Sequence, residues 1–236
     1  MKISTRVILS CFLAALSLPA IAQQPPLYLT YYKTPKNTLP LTGYYQIGGY
    51  KVKGNPYYHP EFILGDFYSV EETAKNVYLR YDVYNQKIEF VSSANQDQLL
   101  VKEPSELDSF VIYKKEKKEI VTDIKMVYGS IIGAPDKSYY QQLHEGEKYS
   151  LYKKYVAELV VPIDRTGHAE SRVFEIQTQY WYVDEKTKTF KQVTGTAAAL
   201  KKEFKGQKDL SGVIKGGSLF KNVDEGMSKV FVALND

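Results

Sequence analysis

Cysteine and histidine are scarce in this chain, and their scarcity limits the chemistry that it can perform. The 236 residues include one cysteine, Cys11, and three histidines, His59, His144 and His168. Cys11 lies in an N-terminal segment that we expect to be removed, so the rest of the chain has no thiol for a nucleophile, a disulfide or a thiolate metal site. The histidines lack the i, i+4 or H-x-H spacing of metal ligands. We therefore predict neither a metal nor a cofactor.

The sequence motifs of common catalytic sites are also missing. Gly129-Ser130 lacks the second glycine of a G-x-S-x-G elbow, and the glycines from Gly43 to Gly54 do not follow the G-x-G-x-x-G order of a phosphate-binding loop. Glu71-Glu72 and Asp184-Glu185 are adjacent carboxylates in predicted turns, and an acid–base pair would have to come from distant strands. The sequence thus favours a protein that is not an enzyme. A hydrolase with a site assembled from distant residues remains an alternative.

The apolar run at the N-terminus is too short to span a membrane and has the features of an export signal. Lys2 and Arg6 precede the apolar run Val7–Leu18, and Ala20-Ile21-Ala22 supplies a small-x-small cleavage site. A helix that spans a bilayer needs about 20 apolar residues. We expect cleavage after Ala22, export to the periplasm or to the outer membrane, and no transmembrane segment in the mature chain.

The charge of the chain gives no argument for binding to nucleic acid. The formal net charge is +4, and removal of Lys2 and Arg6 with the signal peptide leaves only +2. The basic run Lys114–Lys118 can contact phosphate or lipid headgroups. Lysines at the tip of a hairpin more commonly stay in solvent and discourage edge-to-edge pairing of sheets. We predict no nucleic-acid partner.

Tyrosine is the residue that the chain has in excess, with 21 copies. Tyrosine favours strands and tolerates half-burial, because its ring packs while its hydroxyl stays in contact with water. Tyrosines on a sheet surface also form binding surfaces for a sugar or an extended peptide. The candidate binding residues are the tyrosines of the first predicted strands: Tyr44, Tyr45, Tyr50, Tyr57, Tyr58 and Tyr68.

Val77–Phe90 carries the clearest local signal for a fold, because apolar and polar residues alternate on both sides of a polar pair. This period of two is typical of a half-buried strand, so the segment predicts a β-hairpin. The alternation suggests that Val83 pairs with Ile88 and that Tyr81 pairs with Phe90. A slip of one residue would move every apolar side chain to the wrong face.

Most of the remaining chain also predicts strands, and the C-terminal part predicts helices. The strand segments are Tyr44–Val52 with a bulge or bend at Gly48-Gly49, Phe62–Val70, Gln98–Val101, Ser109–Tyr113, Ile120–Tyr128, Glu147–Val156, and a second hairpin from Phe174–Val183 and Thr189–Val193. After Thr194 the spacing becomes helical, with glycines separating three short helices, and Asn222 is a candidate N-cap. No helix this short is stable alone, so these helices must pack on the sheet or on one another.

The predicted fold class is α+β and mainly β, with an antiparallel meander sheet or partial barrel and a small C-terminal cap of three short helices. The predicted organisation is a signal peptide at residues 1–22, a linker or edge segment at 23–41, an antiparallel β domain at 42–194, and a helical subdomain at 195–236 that packs on the sheet.

Three segments together give the chain a resemblance to a known group of proteins. They are Gly54-Asn55-Pro56-Tyr57 with Gly65, the hairpin residues Leu79–Tyr84 with Ile88–Phe90, and the ending from Phe190–Val193 through Leu200 and Ile214-Lys215 to Val223–Leu234. In combination they resemble uncharacterised exported proteins common in Bacteroidetes-type Gram-negative bacteria. The resemblance implies a periplasmic or envelope location and carries over no catalytic residue.

The sequence therefore predicts an exported, non-enzymatic binding or accessory protein of the periplasm or envelope. Its partner would be an envelope protein, a glycan or an apolar ligand, and a face of the sheet or the gap beneath the helices would be the contact surface. One alternative is a carrier that holds a lipid or another apolar ligand in a curved sheet, in the manner of lipoprotein carriers.

Overall fold

The computed structural model describes residues 30–31, 45–47, 50–92, 95–116, 119–161, 171–214 and 222–236. The predicted signal peptide and most of the predicted linker lie outside these residues. The strands are β1 (Thr30–Tyr31), β2 (Tyr45–Ile47), β3 (Tyr50–Lys53), β4 (Ile63–Tyr68), β5 (Thr73–Asp82), β6 (Lys87–Ser92), β7 (Asn95–Lys102), β8 (Ser109–Glu116), β9 (Glu119–Tyr128), β10 (Tyr139–His144), β11 (Tyr149–Val160), β12 (Ser171–Asp184) and β13 (Thr189–Val193). Two α-helices follow, α1 (Ala197–Glu203) and α2 (Val223–Asn235).

The described strands form one sheet, so the prediction of a mainly β protein is confirmed. The strand order is β1-β7-β6-β5-β4-β8-β9-β10-β11-β12-β3-β2, with β13 paired to β12 beside this path. The order has two ends, and the sheet is open. The sheet is mixed, because β3 pairs with the start of β12 in parallel, whereas the sequence predicted antiparallel pairing throughout.

The inner face of the sheet curves onto itself. β5 and β10 are separated by three strands, yet the rings of Tyr81 and Tyr139 have centroids 5.8 Å apart. Phe110 of β8 packs edge-on against Tyr139 with a centroid distance of 5.0 Å. The hydroxyl of Tyr139 donates to the carbonyl oxygens of Pro104 and Leu107, so this buried ring has hydrogen-bond partners. Aromatic side chains thus fill this part of the inner face.

The hairpin of β5 and β6 is present, but its predicted register is wrong by two residues. Tyr81 lies opposite Ile88, and Leu79 lies opposite Phe90. The faces are as predicted, since a shift of two residues preserves the alternation. The turn explains the difference, because the Asp82 carboxylate accepts hydrogen bonds from the backbone N–H groups of Tyr84 and Asn85.

The second hairpin, of β12 and β13, confirms the prediction and uses the same turn chemistry. Asp184 lies opposite Thr189, and its carboxylate accepts from the backbone N–H groups of Lys186 and Thr187. Lys188 then adopts a left-handed conformation with φ of 54°, as Gln86 does in the first hairpin with φ of 59°. An aspartate at the end of the first strand therefore sets a four-residue turn in both hairpins.

The N-terminal strands differ from the prediction of one continuous strand over Tyr44–Val52. β2 and β3 pair antiparallel, with Ile47 opposite Tyr50, so the chain reverses between them. The two glycines that connect them lie outside the described residues. β1 adds Thr30–Tyr31 to the edge of β7, within the segment predicted as a linker or edge.

The predicted cap of three helices is not matched, because the described residues contain two. Leu210–Ile214, where the middle helix was predicted, forms only a turn in which the N–H groups of Val213 and Ile214 both donate to the Leu210 carbonyl. Asn222 caps α2 as predicted, since its side chain accepts from the Glu225 N–H. None of the helices in the described part of the chain is long and apolar enough to cross a membrane.

Helix α2 packs on the sheet at β10 and β11. The apolar side chains of α2 that are buried there are Met227, Val230, Phe231 and Leu234. They join Leu151 of β11, Tyr182 of β12 and Phe204 after α1 in one cluster. A second and larger cluster lies under β4 to β9, so the inner face holds two apolar clusters side by side.

Candidate functional site

The six tyrosines that the sequence singled out do not form one surface. Tyr44 lies outside the described residues, and the structure describes only the strand positions of Tyr45 and Tyr50. Tyr57, Tyr58 and Tyr68 lie in three separate surroundings.

Tyr57 is part of a clamp on the outer face of β5 and β6. The centroid of its ring lies 4.0 Å from the guanidinium carbon of Arg80, and the centroid of the Phe62 ring lies 4.5 Å from the same carbon. Arg80 pairs with Glu89, and the Tyr57 hydroxyl also donates to Glu89 at 3.3 Å. Tyr57 is only 7% exposed. The Tyr57 ring therefore packs the chain segment before β4 onto β5 and β6, and neighbouring side chains cover it.

Tyr68 belongs to a polar cluster around Asp66 of β4. The Asp66 carboxylate accepts from the hydroxyls of Tyr68 at 3.0 Å and Tyr113 at 2.6 Å, and from the Asn76 N–H at 2.9 Å. Burial opposes ionisation of Asp66, but these hydrogen bonds outweigh it, so its pKa lies below the usual value. The hydrogen bond to Asp66 is the largest cause that raises the pKa of Tyr113. This cluster has its hydrogen bonds satisfied and ties β4 to β5 and β8.

Tyr58 lies on the inner face, where polar side chains meet between the two apolar clusters. Its ring packs edge-on against Tyr155 with a centroid distance of 4.8 Å. The residues of this polar set, which we name the inner seam, are Tyr58, Gln141, Lys153, Tyr155, Tyr180 and Asp224.

The sheet places three members of the inner seam in one row across neighbouring strands. Gln141 of β10 lies opposite Lys153 of β11, which lies opposite Tyr180 of β12. Tyr155 follows Lys153 by two residues and shares its face, because side chains alternate along a strand. Asp224 comes from the first turn of α2 and reaches the row from above the sheet.

Asp224 and Lys153 form the charged centre of the inner seam. The Lys153 ammonium lies 2.8 Å from the Asp224 carboxylate, which also accepts from the Tyr180 hydroxyl at 2.5 Å. The same ammonium lies 4.9 Å from the ring centroid of Tyr155 and 6.0 Å from that of Tyr180. The Lys153 side chain is 12% exposed and that of Asp224 is 37% exposed, so solvent reaches the seam from the carboxylate side.

The tyrosines of the inner seam are hydrogen-bond donors and not bases. Burial is the largest cause that raises the pKa of Tyr58, Tyr155 and Tyr180, and the negative charge of Asp224 raises each of them further. Their hydroxyls therefore stay protonated near neutral pH. An activated tyrosine in acid–base catalysis would need the opposite shift. These hydroxyls donate within the seam, Tyr155 to Gln141 and Tyr180 to Asp224.

The inner face next to the seam is open along β12. Ile176 and Thr178 lie on the same face as Tyr180, because they precede it by four and two residues. Both are exposed, and Ile176 keeps 41% of its surface accessible although it is a large apolar residue. The seam thus continues into an accessible strip of β12.

The described residues contain no group of three or more His, Cys, Asp or Glu side chains suited to a metal. His59 pairs with Glu61 at 2.8 Å, whereas His144 contacts Asn235 on α2 at 3.1 Å. His168 lies outside the described residues. The two described histidines therefore lie in separate surroundings.

A shallow basic cleft of about 500 Å³ lies beyond α1 and is a second candidate surface. Its lining includes Lys201, Lys205 and Lys208, together with Asp209 and Ser211. All of these side chains are exposed. Solvated lysines of this kind give an anion little specificity.

Of the inner seam, only Tyr58 was among the tyrosines that the sequence pattern indicated. A usable signal was present in β11, where Lys153 shares a face with Leu151 and Tyr155. A lysine on the apolar face of a strand needs a partner, because burial of an unpaired charge is costly. The partner, Asp224, is 71 residues away in the chain and becomes a neighbour only through tertiary packing.

Comparisons with known proteins give this chain no relative: no protein-family model, no curated protein and no solved structure matches it.

Proposed function

We propose that this chain is an exported, non-enzymatic binding protein of the periplasm or cell envelope, and that it contacts an envelope protein at the inner seam and the adjoining strip of β12. The observation that carries the proposal is the Lys153–Asp224 pair, which lies between two apolar clusters and opens to solvent beside Ile176 and Thr178.

An ion pair is rarely the most stable way to hold a helix on a sheet. Removing two charges from water has a desolvation cost that their mutual attraction offsets only in part, and apolar residues of similar volume are often as stable or more stable. The aromatic cluster on one side and the helix cluster on the other offer such an apolar surrounding. The presence of a charged pair where apolar residues would suffice for stability therefore favours a role in recognition.

The exposed groups of the seam indicate the chemistry of the partner. The Tyr180 hydroxyl and the Lys153 ammonium already donate to Asp224, and its carboxylate is the more exposed side of the pair, so the seam suits donors such as the N–H groups of a peptide backbone. Exposed Ile176 adds an apolar contact on the same face. An extended polypeptide segment carries both kinds of group, which is why we favour a protein partner over a glycan.

The other readings of the sequence receive less support from the packing. A carrier of an apolar ligand needs an open apolar cavity, whereas Tyr81, Phe110 and Tyr139 fill the part of the inner face under β5, β8 and β10 with rings in mutual contact. A hydrolase needs an activated base or nucleophile, whereas burial keeps the tyrosines of the seam protonated. Both readings stay predictions from the sequence.

Photo-crosslinking in intact cells of the source organism tests the contact surface. Benzoylphenylalanine is introduced at Thr178, on the seam face of β12, and in a separate variant at Gln177, which is also exposed but points to the opposite face. We expect a discrete protein adduct from position 178 and none from position 177 after irradiation of intact cells. Equal yields at both positions, or none at either, would contradict the proposal.

Two further measurements complete this test. Far-UV circular dichroism checks that each variant folds, and Ile176 serves as a second position on the seam face if the Thr178 variant does not. Fractionation with N-terminal sequencing tests the location separately. We expect a mature chain that begins at Gln23 in the periplasmic or envelope fraction, and an unprocessed cytoplasmic chain would contradict the export proposal.

A further inference from the structure

The C-terminal end of α2 is fastened to the turn between β10 and β11 by one side chain. The Asn235 side-chain oxygen accepts from the backbone N–H groups of Lys148 at 2.8 Å and Tyr149 at 3.1 Å. Its nitrogen donates to the carbonyl oxygens of Tyr149 at 2.9 Å and Phe231 at 2.7 Å. Gly146 leaves room for this amide, since a Cβ there would lie 2.3 Å from it.

These four backbone partners fix which way round the Asn235 amide lies. Backbone N–H groups only donate and backbone carbonyls only accept, so the oxygen must face the former and the nitrogen the latter. The amide nitrogen also lies 3.1 Å from Nε2 of His144. Both hydrogens of that nitrogen already point to carbonyl oxygens, so Nε2 can only share one of them in a three-centre hydrogen bond, which it accepts as part of a neutral imidazole with its proton on Nδ1.

We propose that His144 and Asn235 form an acid-released latch, in which protonation of the imidazole loosens the last turn of α2 from the turn between β10 and β11. A protonated ring would direct an Nε2–H group at the Asn235 amide hydrogens, so two donors would oppose each other across the contact. The amide cannot rotate to offer its oxygen without breaking all four of its backbone hydrogen bonds.

Among the described residues, no carboxylate pairs with His144 to compensate the protonated ring. The charged residues of the turn beside it, of the adjoining end of β12 and of the C-terminus are Glu145, Glu147, Lys148, Glu185 and Asp236. Glu145 accepts from Gln142, and Glu185 is engaged by Ser150 and Lys188. Burial lowers the pKa of His144, and it is the only cause that acts on it, which agrees with a ring held neutral by its position.

Hydrogen exchange of the full mature chain tests the latch. The reporters are the amides of Lys148 and Tyr149, which donate to Asn235, and exchange is expressed as protection relative to the intrinsic rate at each pH. We expect protection to fall about fivefold between about pH 7.5 and about pH 5, as for the loss of one hydrogen bond. No fall over this range would overturn the proposal.

Three variants assign the effect to the latch. In His144→Gln the side chain keeps an acceptor but does not titrate, so the pH-dependent fall should vanish. In His59→Gln, which alters an exposed histidine paired with Glu61, the fall should persist as in the unmodified chain. In Asn235→Ala protection should be low at both pH values. A fall of the same size in His144→Gln or in Asn235→Ala would overturn the proposal.

Discussion

Replacement of Asp66 tests the view that one buried carboxylate ties three strands together. Asp66 is 5% exposed and accepts two tyrosine hydroxyls and one backbone N–H, from Tyr68 on its own strand, Tyr113 on β8 and Asn76 on β5. Asn76 has a positive φ of 57°, a conformation that costs energy for a residue other than glycine. The Asp66 carboxylate stabilises that conformation by holding its N–H group.

We expect Asp66→Ala to lower the free energy of unfolding by about 3 kcal/mol at neutral pH. Three hydrogen bonds to a carboxylate are lost, each contributing about 1 kcal/mol because the tyrosines are only half-buried and water can replace part of the interaction. Asp66→Asn should cost less, about 1 kcal/mol, since its oxygen can still accept from the Asn76 N–H. Asp123→Ala is the matched control. Asp123 of β9 is exposed and lies opposite Tyr113 of β8, and its replacement should lower the free energy of unfolding by less than about 0.5 kcal/mol.

Urea unfolding followed by far-UV circular dichroism gives these differences, and a double-mutant cycle of Asp66→Ala with Tyr113→Phe isolates the shortest hydrogen bond. We expect a coupling energy of about 1 kcal/mol. The lowered pKa of Asp66 adds a pH test. The ionised Asp66 stabilises the fold fully above the pKa of this carboxyl in the unfolded chain, near 3.9, and the stabilisation is lost as the pH falls through the lower pKa of the folded chain. The difference in free energy of unfolding between the unmodified chain and Asp66→Ala must therefore narrow in strong acid. A cost below about 1 kcal/mol at neutral pH, or a coupling of zero, would refute the reasoning.

Three further comparisons use the same unfolding measurement. Gly65→Ala should prevent folding or lower the free energy of unfolding by more than about 3 kcal/mol, because its Cβ would lie 2.1 Å from a backbone carbonyl oxygen of β8. Gly133→Ala should lower it by about 1 kcal/mol, because Gly133 has a positive φ of 74° but a Cβ there would meet no atom within 4 Å. Similar costs would contradict the steric argument. Asp224→Ala should lower the free energy of unfolding more than Lys153→Met does, because it leaves the almost buried Lys153 ammonium unpaired. The reverse order would contradict this argument. Asp82→Ala should cost about 1–2 kcal/mol by freeing two backbone N–H groups in the turn, and no loss would mean that the turn does not depend on this carboxylate.

The candidate site shows how far a sequence pattern reaches. Of the six tyrosines singled out on composition, Tyr58 lies in the inner seam, while Tyr57 and Tyr68 have separate structural partners. Composition identifies residues that suit a surface, but it does not say which of them share one. The seam depends on the row of Gln141, Lys153 and Tyr180, and this row exists only because β10, β11 and β12 are neighbours in a particular register.

The sequence by itself determined the two hairpins and which side chains share a face of their strands. Alternation with a period of two is a property of adjacent residues, so it identified the hairpin of β5 and β6 and the hairpin of β12 and β13 without knowledge of the rest of the chain. The N-cap of α2 at Asn222 is equally local, because the cap and its N–H partner are three residues apart. These features depend on contacts that the chain makes with its immediate neighbours.

Only the tertiary structure decided strand order and the meeting of distant charges. The register of the first hairpin was a local matter that the apolar pattern could not decide, because the Asp82 turn shifted the pairing by two residues and left the faces unchanged. The pairing of β4 with β8, the parallel entry of β3 beside β12 and the reach of Asp224 to Lys153 join segments far apart in the chain. Such contacts depend on which apolar faces are buried together, and that is a property of the whole chain.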